Sequence, residues 1–102
     1  MGEWQEKMDF SRIIFSGHAV QRMFSRGISS DEVIDVIHQG EKFVEYPDDV
    51  PYPSCIVLGF VRDMPVHVVL GIDRENETGI VITAYVPNPT LWGKDFKTRR
   101  KR

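Results

Sequence analysis

Hydrophobic residues along this chain keep two different spacings, and the change from one to the other falls near residue 40. Between Ser16 and Gly40 the apolar positions recur at helical intervals. Ser16 reads as an N-cap, since its hydroxyl can accept a first-turn amide, and it opens a helix over HAVQRMFSR. Gly27 follows as the residue free to turn left-handed and end it. Ser29 opens a second helix with Glu32 three residues on, the spacing of a reciprocal capping box. Val33, Ile34, Val36 and Ile37 form its apolar stripe, and Gly40 closes it. So short a link predicts an αα-hairpin.

Beyond residue 40 the period falls to two. KFVEY (42–46), CIVLGFV (55–61), VHVVLGID (66–73) and IVITAYV (80–86) read as strands. A proline-rich loop (47–54), a hairpin loop Arg62–Pro65 and a turn RENETG separate them. Pro87 and Pro89 stop the last strand because proline has no ladder donor. FSRIIF (10–15) is a candidate short first strand, and WGKDFKTRRKR a final helix or coil. The expected fold is α+β: an N-terminal helix pair packed on an antiparallel sheet of about four strands.

Register adds a testable detail. With Val61 opposite Val66, Phe60 faces His67 and Leu58 faces Val69. Alternation then puts Val57, Val61, Val66, Val68, Leu70, Ile72, Ile80 and Ile82 on one face, the expected seat of the helices. Val81, Thr83 and Tyr85 line up on the other strand face, and His67, Phe60, Thr83 and Tyr85 form a mixed, solvent-reachable surface. A one-residue slip would separate these groups.

Charge changes the picture at one end. The formal net charge is −2, but residues 94–102 hold six basic residues and one acid, leaving an acidic body of −7. A basic tail attracts polyanions, although many termini are simply solvated. The division is therefore an extension (1–9), one domain (10–93) and a basic tail (94–102). The lone Cys55 excludes an internal disulfide and fits a reducing, cytoplasmic setting; it opens an apolar strand as a small core residue. MGEWQEKMDFSRIIF scatters charge through any apolar run, so it is neither a signal peptide nor a membrane span. No motif for a metal, nucleotide or other cofactor is present, and none is expected.

Two constellations are left for chemistry. His18, Arg22 and Arg26 recur every fourth residue, along one helical stripe. A neutral imidazole in a first helical turn beside guanidinium groups suits a phosphate site; ion pairs of the arginines with Asp31, Glu32 or Asp35 are the structural alternative. The second is His67 with Tyr85, joined by Tyr52, against the alternative of a strand histidine satisfied by a backbone carbonyl. His38 lies near a helix C-terminus, where it suits the dipole. Trp4 and Trp92 read as anchors or contact residues.

The string HAVQRMFSRGISSDEV, followed by PYPSCIVLGF, PVHVVLGID and VITAYVPNP, resembles the prokaryotic domain of unknown function family 4258 over residues 13–97. The pattern rests on His18, Ala19, Arg22, Met23, Arg26, Gly27, Ile28 and Ser29. That family is similar, distantly, to RelE and BrnT toxins of toxin–antitoxin pairs. The resemblance implies messenger RNA cleavage by attack of a ribose 2′-hydroxyl on the adjacent phosphate, and a zinc-binding antitoxin as partner. It implies His67 or His18 as base, Tyr85 as acid or stacking platform, and Arg22 or Arg26 as charge stabiliser. Arg26, Lys97, Arg99 and Arg100 would hold the RNA backbone. The rival expectation is a non-catalytic protein-binding or self-associating module, a homodimer included, with no membrane involvement.

Overall fold

The computed structural model describes residues 9–100. Trp4, Lys101 and Arg102, and the extension up to residue 8, lie outside the described residues. The elements run β1 (Arg12–Phe15), α1 (Gly17–Arg26), α2 (Ser30–Gln39), β2 (Glu41–Tyr46), β3 (Ser54–Val61), β4 (Met64–Asp73) and β5 (Thr78–Tyr85). Among the described residues the sheet has five strands, in the order β1-β5-β4-β3-β2. Its sheet is mixed, which corrects the expected four-stranded antiparallel one. β1 joins it parallel to β5, with Ile14 opposite Ile80, while the other neighbours pair antiparallel.

Both helices begin as their caps dictate. The Ser16 side chain accepts from the Ala19 amide, and Gly27 ends α1 at φ 68. Ser29 and Glu32 form the complete reciprocal box at the start of α2. Gly40 serves a different purpose from Gly27: its backbone is extended, and a Cβ there would lie 2.5 Å from the Leu58 carbonyl oxygen. It is a close-approach glycine where the chain passes from α2 into β2.

α1 lies on β5, and α2 on β3 and β4. Ala19, Met23, Val33, Val36 and Ile37 thus meet Cys55, Val57, Val66, Val68, Leu70, Val81 and Ala84 in one core. Burial of such side chains contributes about 1.5–3 kcal/mol each relative to exposure. Two register expectations need correction. The β3–β4 hairpin turns on Arg62 and Asp63 alone, both at positive φ, so Leu58 rather than Phe60 faces His67. This two-residue shift preserves the faces. In β5, however, a bulge follows the Val69–Thr83 pair, and Leu70 pairs with Val81, skipping Ile82. The extra residue inverts alternation. Val81 therefore joins the helix-side core, while Ile82 is exposed and Ile80 lies beside Gly71 rather than in that core.

The second face of the sheet is covered at one end by residues 87–100, a strap and not a helix. Its two ends are drawn together by the Trp92–Arg99 bridge. The Gly93 amide donates to the Thr98 carbonyl (2.7 Å) and the Arg100 amide to Leu91 (2.8 Å).

Candidate functional site

His67 sits in the middle of β4, opposite Leu58 on one side and Tyr85 on the other. Its side chain has no solvent exposure. Phe43 lies at 4.9 Å between ring centroids, Trp92 meets it edge-on at 4.6 Å, and Tyr85 edge-on at 5.2 Å. Thus His67 and Tyr85 do share a face, as the alternation of the strands implies. His67 is not solvent-reachable, which corrects that expectation, and the strap is what seals it.

Hydrogen bonds fix the state of this histidine. Nε2 lies 2.6 Å from the Phe96 carbonyl oxygen, which can only accept, so Nε2 carries the proton. Burial lowers the imidazole's affinity for a second proton, against the opposing pull of that carbonyl. Nδ1 is then a bare acceptor, and Tyr85 donates its hydroxyl to it across 3.2 Å. Burial, first of all, also holds the Tyr85 phenol above its usual range, while Arg99 pulls the other way.

A turn built for the purpose presents the Phe96 carbonyl. Asp95 accepts through Oδ1 from the amides of Lys97 (2.9 Å) and Thr98 (3.0 Å), and through Oδ2 from the Thr98 hydroxyl (2.9 Å). These donors hold the Asp95 carboxyl below its ordinary range, the Lys97 amide foremost. Phe96 itself takes φ 61, a left-handed conformation rare for a bulky residue and sustained by these surrounding bonds.

The strap also employs most of its own cations. Lys97 reaches Glu41 at 3.1 Å, Arg99 lies 5.2 Å over the Trp92 ring, and Arg100 Nε donates to the carbonyls of Pro89 (2.8 Å) and Trp92 (3.0 Å). These three sequence candidates therefore serve first as strap contacts, with Arg99 and Arg100 still exposed.

Between α1 and the strap, at the end of β5, lies a cleft of about 270 Å³. Arg22 and Arg26 line it from α1, Tyr85 from β5, and Asn88, Leu91 and Trp92 from the strap. The helix stripe and the sheet face, candidates from opposite sides of the sheet, meet here because β1 spans only residues 78–81 of β5 and leaves the rest of that edge open. Arg22 and Arg26 have no ion-pair partner among the described residues; Glu32 is taken by Arg62. Two unpaired guanidinium groups across from a phenol suit an anion. His18 is exposed on α1 but does not line this cleft, and His38 is exposed on α2. Tyr52 lies away from His67, in an apolar hollow of about 210 Å³ with Val50, Pro51, Ile80 and Ile82. A larger hollow of about 420 Å³ is lined by Asp35, Glu41 and Phe60, whose carboxylates disfavour a phosphate. Cys55 is fully buried and its thiol pushed up to about 11 by burial.

Phe43, Asn88 and the Phe96 carbonyl were not foreseeable as parts of this site. The available signals were the Asp95-x-x-Thr98 spacing of a side-chain-capped turn and a tryptophan three residues beyond a proline.

The chain belongs to the family described as Domain of unknown function (DUF4258), whose model matches residues 15–86. That span holds α1, His67 and Tyr85, and ends just before the strap. No curated protein and no solved structure matches the chain significantly. Among the described residues, no helix is long and apolar enough to cross a membrane.

Proposed function

We propose, taking the distant likeness of that family to RelE and BrnT toxins as the premise, that this domain is a toxin-type endoribonuclease whose substrate enters the cleft between α1 and the strap. One observation carries the reading: Arg22 and Arg26, unpaired among the described residues, converge with Tyr85 on one cleft. A scissile phosphodiester fits there, its charge met by two guanidinium forks. In the reaction the ribose 2′ oxygen attacks the adjacent phosphorus and the bond to the 5′ oxygen breaks, leaving a 2′,3′-cyclic phosphate and a 5′-hydroxyl. Charge on the pentavalent phosphorus is greatest in the transition state, which is where the arginines act. Tyr85 is the proton-handling group within the cleft. His67, sealed under the strap, makes no direct contact with substrate. Exposed Arg99 and Arg100 extend the cationic surface along the RNA backbone. A cognate antitoxin protein, zinc-binding in the family resemblance, is the partner this reading calls for.

Induced expression in a bacterial host tests it. Wild type arrests growth, and Arg22→Ala combined with Arg26→Ala restores it while the purified variant keeps its unfolding transition. Unimpaired growth on wild-type expression, with RNA left intact, contradicts the proposal.

A second reading has its own observation. Ile82 (42 % exposed), Val50 (89 %) and Tyr52 (39 %) surround the apolar hollow beside the short edge strand β1, where Ile14 is 45 % exposed. A protein-binding or self-associating module would use such a surface. Sedimentation across a concentration series separates the two, since self-association here should weaken on Ile82→Asp.

A further inference from the structure

The orientation of one hydroxyl is set from outside the cleft. The chain of donors begins at the Phe96 carbonyl, which obliges Nε2 of His67 to carry the proton. Nδ1 must then accept, and among the described residues its hydrogen-bond partner is the Tyr85 hydroxyl, at 3.2 Å. Rings of Phe43 from β2 and Trp92 from the strap pack on the imidazole, and Leu58 is its cross-strand partner on β3. Arg99 lies over the Trp92 ring. Among the described residues no carboxylate is paired with the imidazole, so nothing there draws the proton from Nε2 to Nδ1. With its hydrogen committed to His67, Tyr85 offers the cleft its oxygen lone pairs. It is poised to take a proton, not to give one.

We infer that His67 is the positioning residue of this site, a buried proton acceptor through which Tyr85 acts as base toward the RNA 2′-hydroxyl. The inference rests on the ribonuclease reading above. As the 2′ oxygen attacks phosphorus, its proton passes to the Tyr85 oxygen while the Tyr85 hydrogen passes to Nδ1 of His67. No tyrosinate forms; the imidazolium that forms instead is disfavoured by burial, is held by the Phe96 carbonyl at 2.6 Å, and lasts only until its proton returns. The 5′ oxygen leaves with the electrons of its bond to phosphorus and takes a proton from water. The imidazolium then returns its proton through Tyr85 to the resulting hydroxide, so protons balance over the cycle. Throughout, Nε2 keeps its proton and donates it in a hydrogen bond to the Phe96 carbonyl, and that contact stabilises the transient cation. The strap is thus part of the catalytic apparatus, since its removal would free the imidazole to change tautomer.

His67→Gln makes the decisive variant. A glutamine can accept from Tyr85 and donate to Phe96, preserving the hydrogen bonds, yet it takes up no proton. Nitrogen-detected imidazole spectra and steady-state cleavage of a single-stranded RNA oligonucleotide are measured together. Expected are a neutral Nε2-protonated His67 in wild type, and in His67→Gln a kcat about 100-fold lower with KM unchanged, in line with loss of a general base. An Nδ1-protonated His67, or wild-type kcat in His67→Gln, overturns the inference while leaving the ribonuclease reading intact. Wild-type protein that leaves the oligonucleotide uncut overturns both.

Discussion

Replacing Trp92 with alanine should undo the strap and with it the burial of His67. Trp92 is 7 % exposed, packs edge-on against His67 at 4.6 Å and Phe43 at 6.0 Å, and carries the Arg99 guanidinium on its face. Truncating a buried tryptophan typically costs about 3–5 kcal/mol, of which each aromatic pair accounts for about 0.5–1.5 kcal/mol. The loss has two outlets. Where the strap and sheet unfold together, the melting temperature falls by roughly 12–40 °C, at about 4–8 °C per kcal/mol for a domain of this size. Where the strap opens alone, global stability falls less, but His67 meets water and its proton affinity returns toward the ordinary histidine range. Chemical denaturation followed by circular dichroism reads the first, and proton NMR titration of the imidazole reads the second. A stability loss under about 1 kcal/mol, together with a His67 whose proton affinity stays as low as in the wild type, would refute the packing argument.

Three further outcomes follow from the same structure. His67 is neutral when folded and its proton affinity is lowered by burial, so below the ordinary histidine range the unfolded chain binds the extra proton first. Stability should therefore decline as pH falls from 7.5 toward 5, and His67→Gln should flatten that slope in denaturant titrations. Cys55, buried with its thiol raised to about 11, should resist an aromatic disulfide reagent in the native state and react at once in denaturant; a fast native reaction would show that strand β3 opens. Ser29→Ala breaks a complete capping box and should lower stability by about 1 kcal/mol in thermal melts.

Local rules made the helix pair and strands legible. Ser16, Gly27 and the Ser29–Glu32 box act within a few residues, and β3 and β4 carry their alternation plainly. What escaped depended on longer-range pairing. β1 holds four residues and pairs parallel with β5, 66 residues further on. The bulge at Ile82 leaves no mark in composition, because isoleucine suits either face, yet it decides that Val81 is core and Ile82 exposed. Much the same holds for the site. His67 and Tyr85 share a face because they pair directly across β4 and β5, on the side of the bulge where alternation holds. Their burial was invisible in sequence, since a run of lysines and arginines reads as a solvated tail. Its folding back depends on Trp92 and on the Phe96 carbonyl, an acceptor every residue has and no side-chain pattern advertises.

Purified protein and a short single-stranded RNA test the central claim most directly, by following binding across a salt series and cleavage products by mass. Wild type should release fragments ending in 2′,3′-cyclic phosphate, and the Arg22→Ala, Arg26→Ala double variant should lose cleavage and bind with a salt dependence shallower by about 1–2 in log–log slope, at roughly 0.7 per phosphate contact. Identical salt dependence in the two proteins, with no cyclic phosphate from wild type, would contradict the account.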